Sequence, residues 1–97
     1  MKINIVDINK SFESRIRLGV MSVLMINDTV DFNTLKEMLD VTDGNLASHL
    51  KALEKEQYID MQKEFVGRKP RTTYRATIKG RKAFEEHLIA LEKLIKG

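Results

Sequence analysis

Cationic side chains crowd one stretch of this sequence. Residues 61–82 hold Lys63, Arg68, Lys69, Arg71, Arg75, Lys79, Arg81 and Lys82 against a single acid, Glu64. That window carries +7, which leaves −4 for the rest of a chain whose net charge is +3. Clustered cations bind polyanions, because each phosphate contact gains from local positive charge and from the counterions it releases. The other use of a charge run is a solvated loop that only aids solubility. A second set lies upstream, where Gly44, Asn45, Ser48, Lys51 and Lys55 share the spacing of one helix face. Asn and Ser offer donors and acceptors of the kind that meet base edges, and a glycine at a helix start lets a phosphate come close.

Catalytic chemistry has no comparable cluster. There is no cysteine, so disulfides, thiolate zinc sites and cysteine nucleophiles are excluded. No grouping of nucleophile, base and oxyanion donor stands out, and no phosphate-binding glycine loop. His49 and His87 are isolated and fall short of the three or four ligands a metal site needs. Neither an enzyme nor a metal or cofactor site is expected. His49 lies near the inner edge of the helix that carries Asn45, where it can serve either packing or a ligand.

The elements that must position these residues fit into one domain, residues 1–97. With 42% hydrophobic residues, a chain this short can bury one core but has little room for a separate sensing module. Residues 1–9 lack the pattern of a signal peptide, and no apolar run reaches membrane-spanning length. A soluble, cytoplasmic protein with no membrane partner is expected.

A first helix over 11–27 carries Phe12, Ile16, Val20, Val23 and Leu24 on one stripe, widened by Leu18, Met21 and Met25. Two apolar sides on one helix of a small domain suggest that a second chain covers one of them. Residues 30–32 can form a very short strand. A short helix over 33–40, with Asn33 as its cap, is followed by a helix over 43–56, capped by Thr42 or Asp43. In that second helix Leu46, Leu50 and Leu53 keep the spacing of a core stripe. Residues 58–66 and 72–77 alternate as two strands of a hairpin. Ile59, Met61 and Phe65 face inward from the first strand, and Tyr74, Ala76 and Ile78 from the second. Thr73, Arg75 and Thr77 face outward, and residues 67–71 make a turn that presents cations at the tip. Thr77 can cap a last helix over 78–96, with one seam of Phe84, Leu88, Leu91 and Ile95 and another of Ala83, His87, Ala90 and Leu94. Gly80 suits close helix packing.

Here the residues resemble a known family. Residues 46–54, reading Leu-Ala-Ser-His-Leu-Lys-Ala-Leu-Glu, are followed by Tyr58-Ile59, by Gly67 to Tyr74 and by Thr77-Ile78-Lys79-Gly80-Arg81. In that order and spacing they are similar to the winged-helix transcriptional regulators of the MarR and ArsR groups, most of all to small stand-alone members. The resemblance implies a mainly α fold with a small β-hairpin (α+β), a winged helix-turn-helix. It also implies a homodimer joined by the first and last helices, through Phe12, Leu18, Met21, Met25, Leu88, Leu91, Leu94 and Ile95, that binds a two-fold symmetric site on double-stranded DNA. The recognition helix would then present Thr42, Gly44, Asn45, Ser48, His49, Lys51 and Lys55 to the major groove. The wing would bring Lys63, Arg68, Lys69, Arg71 and Arg75 to the backbone or minor groove. The chain departs from metal-sensing members in lacking cysteine, and from drug-sensing members in its short length; any effector stays open. An architectural DNA binder of the same fold, and a winged-helix protein adaptor, are the alternative functions.

Overall fold

Short polar side chains set the helix boundaries. The computed structural model describes residues 5–96; residues 1–4 and 97 of the expected domain, and with them the start of the segment read for a signal peptide, lie outside the described residues. The helix expected over 11–27 is split in two. Lys10–Phe12 forms a 3-10 turn, its Asn9 cap accepting from the Ser11 N–H at 2.9 Å. Ser14 then caps α1 (Arg15–Ile26), accepting from the Arg17 N–H at 3.3 Å.

Strand β1 (Val30–Asp31) leads into α2 (Phe32–Leu39), whose cap is Asp31 rather than Asn33. The Asp31 carboxylate makes no hydrogen bond to a helix N–H and accepts instead from the Thr34 hydroxyl. Asp40 ends α2 in the left-handed region at φ 51. Helix α3 (Asp43–Lys55) is capped by Thr42, whose hydroxyl accepts from the Asn45 N–H at 3.3 Å. The hairpin is β2 (Ile59–Val66) and β3 (Lys69–Ala76), followed by α4 (Ile78–Lys96). At the start of α4 the Thr77 hydroxyl accepts from the Gly80 N–H at 2.9 Å and donates to the Gln57 carbonyl at 2.7 Å. One cap thus ties α4 to the end of α3.

The three strands form an antiparallel sheet in the order β1-β3-β2, with Val30 opposite Tyr74, Ile59 opposite Ala76 and Val66 opposite Lys69. The turn is shorter than the expected 67–71, because only Gly67 and Arg68 link the strands. Gly67 takes φ +67 and Arg68 does not take a positive φ, which is the requirement of a two-residue turn with glycine first. Pro70 is accommodated within β3 because that part of the strand pairs with β2 alone.

The core gathers Val20, Met21 and Leu24 of α1, Leu35 of α2, Leu46, Leu50 and Leu53 of α3, and Ile59, Tyr74 and Ala76 of the sheet. Each buried Val, Leu, Ile or Met side chain among these contributes about 1.5–3 kcal/mol. Phe12 closes one end, its ring 5.1 Å from that of Tyr58 and 5.3 Å from that of Phe84. Asn9 fastens the same end. Its N–H donates to His87 Nδ1 and its side-chain amide to the Tyr58 hydroxyl, both at 3.0 Å.

This arrangement corrects several expectations. Phe12 and Met21, read as dimer-interface residues, are 2% and 0% exposed and belong to the chain's own core, so the second side of α1 is largely covered from within. The hairpin reaches beyond that core, which leaves Met61 and Phe65 exposed although alternation points them inward. Thr73, expected outward, is buried, because β1 adds alongside it and its hydroxyl donates to the Gln62 carbonyl. Ile78 is exposed because the strand stops at Ala76 and Ile78 starts a helix, which ends the two-residue period.

Candidate nucleic-acid interface

With Leu46, Leu50 and Leu53 buried, a turn of about 100° per residue sends the opposite face of α3 to solvent. Gly44, Asn45, Ser48, Lys51 and Lys55 are all exposed there. Ser48, Lys51, Ala52, Glu54 and Lys55 line a shallow concavity of about 610 Å³ along it. At the helix start Thr42 is occupied by capping Asn45, while the Gly44 N–H has no acceptor outside the helix among the described residues and a Cβ on Gly44 would meet open space. Asp43 sits at the same end, where a carboxylate favours the helix dipole but repels a phosphate. Lys36 of α2 offsets it, Nζ to Oδ1 2.8 Å. Lys36 was not singled out from the sequence, since nothing local marks a pair formed across the inter-helix turn.

His49 is half-buried on the flank of α3. Its Nδ1 accepts from the Arg17 Nε–H at 3.0 Å, so the neutral ring carries its proton on Nε2 and presents a donor there. Burial, reinforced by the Arg17 cation, holds its pKa below the ordinary imidazole value. Burial does the same to His87, with Glu13 opposing it. Arg17, too, had no signal in the sequence, because it lies 32 positions from His49.

On the hairpin Lys63, Arg68, Lys69, Arg71 and Arg75 are all exposed, but they are not equivalent. Arg71 pairs with Glu64 at 3.8 Å and Arg75 with Asp60 at 3.5 Å, each directly across the strands. Exposed pairs of this kind hold by less than about 1 kcal/mol and can exchange for another anion. Lys63, Arg68 and Lys69 have no ion-pair partner among the described residues. Three further cations of the basic window are engaged or set apart. Arg81 donates to the Met25 and Leu24 carbonyls at 3.1 and 3.3 Å and so caps α1, Lys79 lies 5.5 Å above the Tyr58 ring, and Lys82 is on α4. A groove of about 420 Å³ brings Lys63 and Arg71 together with Asn33 at the start of α2.

Of the remaining expected interface residues, Leu18, Met25 and Leu91 are half-buried, while Leu88, Leu94 and Ile95 are exposed along the outer part of α4. Ile89, which the seam spacing did not single out, joins them at 53% exposure.

A helix-turn-helix whose second helix offers a polar face, followed at once by a cationic hairpin, defines a class of DNA-binding domain. The chain belongs to the winged helix DNA-binding domain family, whose model matches residues 16–95; the family is one of DNA binders, not of enzymes. It is 36% identical over 88 residues to an uncharacterized protein of Methanocaldococcus jannaschii, across 91% of this chain and 96% of that one. Among solved structures it is similar to a transcriptional regulator homologue from Pyrococcus horikoshii, with a TM-score of 0.84 and 31% identity over 90% of this chain and 86% of that one. A putative transcriptional regulator from Salmonella typhimurium gives 0.71 and 25%, over 90% and 76%. NadR in complex with 4-hydroxyphenylacetate shares the fold at 0.74 with 21% identity, over 93% of this chain and 63% of that one. No helix among the described residues is long and apolar enough to cross a membrane.

Proposed function

We propose that this chain is a sequence-specific, homodimeric transcriptional regulator acting in the cytoplasm, with α3 in the major groove and the hairpin on the backbone or minor groove. The exposed face of α3 carries this reading. It offers Asn45 and Ser48 as hydrogen-bonding groups for base edges, Lys51 and Lys55 for phosphates, and the exposed Gly44 N–H in the first turn of the helix. Lys63, Arg68 and Lys69 supply sequence-independent attraction and fix the register, while the few α3 side chains choose the site. His49 adds a donor through Nε2, and Arg71 and Arg75 join when a phosphate displaces their carboxylates. Thr42 serves the interface indirectly, by holding the helix start in shape.

The dimer uses the outer part of α4. Leu88, Leu94 and Ile95 are apolar side chains that the chain leaves exposed, and Leu91 beside them, like Leu18 and Met25 on α1, is half-buried. Pairing two copies through these residues would bury that surface and set two α3 helices on one side of a duplex.

The test is selection of bound duplexes from a random library, followed by titration of the winning site against salt. The expected result is a two-fold symmetric site with half-sites about one helical turn apart. Affinity for it should exceed that for random duplex by at least about a thousandfold. Equal affinity for all duplexes would replace the regulator with an architectural binder, and binding without salt dependence would remove the nucleic-acid reading altogether.

A further inference from the structure

The far end of the hairpin is apolar as well as cationic. Phe65 is 74% exposed and stands directly opposite Pro70, so the two share one face of the ribbon, with Lys63 two residues below on the same face. Val66, 57% exposed, lies on the reverse face beside Lys69. The turn between them is Gly67 and Arg68. Glu64, the acid nearest the tip, is paired with Arg71, so an incoming anion meets Lys63, Arg68 and Lys69 with little opposition.

An aromatic ring in this position adds little to the fold, since it lies outside the buried core. Strand β2 is already exposed from Met61 outward, and neither Phe65 nor Val66 belongs to the buried core. A loop selected only for charge and solubility would carry polar residues at these strand positions. The juxtaposition of ring, proline and unpaired cations matches what DNA-kinking proteins bring to the minor groove, where cations hold the two phosphate rims and an apolar wedge enters a base step.

We propose that the wing is a wedge: Phe65, backed by Pro70, inserts at a base step in the minor groove and bends the duplex, while Lys63, Arg68 and Lys69 hold the flanking phosphates. This rests on the DNA-binding reading above and adds to it a mode of contact and a deformation. Flexible pyrimidine–purine steps, TA or CA/TG, are the ones that admit the wedge at least cost, so the preference at that position comes from deformability and not from hydrogen bonding. Charge complementarity selects the partner, because an apolar tip ringed by unpaired cations fits a polyanion with stackable faces.

The experiment uses the full chain and the selected duplex with 2-aminopurine at the pyrimidine–purine step flanking a half-site, and a second copy end-labelled for energy transfer. Wild-type protein should raise the 2-aminopurine fluorescence and shorten the end-to-end distance. Phe65→Ala should abolish both changes and weaken binding by about tenfold with a nearly unaltered melting temperature, since Phe65 is 74% exposed and lies outside the core. Phe65→Leu should keep most of the signal, because leucine also serves as a wedge. Phe65→Lys separates the wedge from simple attraction: it should bind at least as tightly through its added charge, yet give no unstacking. Salt-dependent binding by wild type with the same fluorescence and bend in Phe65→Ala would overturn the wedge while leaving the regulator intact. Loss of salt-dependent DNA binding in the wild type itself would overturn both.

Discussion

Replacing Gly44 with alanine should make the protein more stable and its DNA binding weaker, and the opposite signs are what make the substitution informative. A methyl group built on Gly44 meets nothing within 4 Å, and the residue does not occupy the positive-φ region that excludes other side chains. Alanine is therefore sterically free there, and it removes the extra freedom that glycine gives the unfolded chain. Such a change in a helix interior is worth up to about 1 kcal/mol, and roughly half of that is reasonable in the first turn. For a domain of this size about 0.5 kcal/mol raises the melting temperature by about 2–4 °C. The binding side runs the other way. The Gly44 N–H lies in the first turn of α3, where the helix dipole favours an anion, and Thr42 has already used its hydroxyl on Asn45. A phosphate taken up there makes a charge-assisted hydrogen bond of about 2.7–2.9 Å, a distance that a neighbouring methyl group would lengthen. Losing about 1.4 kcal/mol of that contact corresponds to tenfold in affinity. Thermal melts followed by circular dichroism, with fluorescence anisotropy on the selected duplex at fixed salt, measure both quantities. A raised melting temperature with unchanged affinity would show that the start of α3 stands away from the backbone, and the docking described above would need to be redrawn.

Three further outcomes follow from the same geometry. Gly80→Ala should be severely destabilising, because its Cβ would fall 2.0 Å from the Tyr58 carbonyl oxygen, a backbone atom that cannot swing aside. A loss of about 3 kcal/mol, read as a lowered denaturant midpoint, is expected, and a loss below about 1 kcal/mol would mean that α4 and the Tyr58 backbone before β2 are not in that contact. Lys69→Ala should weaken binding to every duplex alike and reduce the salt slope by about 1, whereas Asn45→Ala should flatten the site preference at one base position and leave the slope alone. An unchanged selected sequence for the Asn45 variant would reject the assigned reading face. The third outcome concerns pH. His49 and His87 both bind protons less readily in the fold than in the unfolded chain, where the imidazole value is 6.5. Their contribution is therefore complete above that value and is lost as the pH falls below it. A denaturant midpoint that drops between about pH 7.5 and about 5.5, above the ordinary carboxylate range, would fit this sign, and a level or rising midpoint would contradict it.

What could be read in the sequence depended on the range over which each signal acts. The α3 stripe of Leu46, Leu50 and Leu53, the caps at Thr42 and Thr77, and the glycine turn at Gly67 are set by residues within a few positions of one another, and the periodicity exposes them. The apolarity of Phe12 tells that the side chain needs cover without telling what supplies it, so the sequence leaves a partner chain open. Here Tyr58, Phe84 and His87 supply it, 46 to 75 positions along the chain. Phe65 misled in the opposite sense, since strand alternation gives the side on which a residue lies but not whether the core extends that far. Counting charge has the same weakness. The +7 window looks like a uniformly basic surface, yet Arg81 is spent on the α1 carbonyls, Lys79 lies over an aromatic ring, and Arg71 and Arg75 face carboxylates. The unpaired charge on the hairpin is thereby confined to Lys63, Arg68 and Lys69, the stretch that also carries Phe65 and Pro70. Long-range pairing has narrowed a diffuse basic segment to a tip small enough to enter a groove, and for that reason substitutions at the tip should affect DNA binding more than equal changes of charge on the stem.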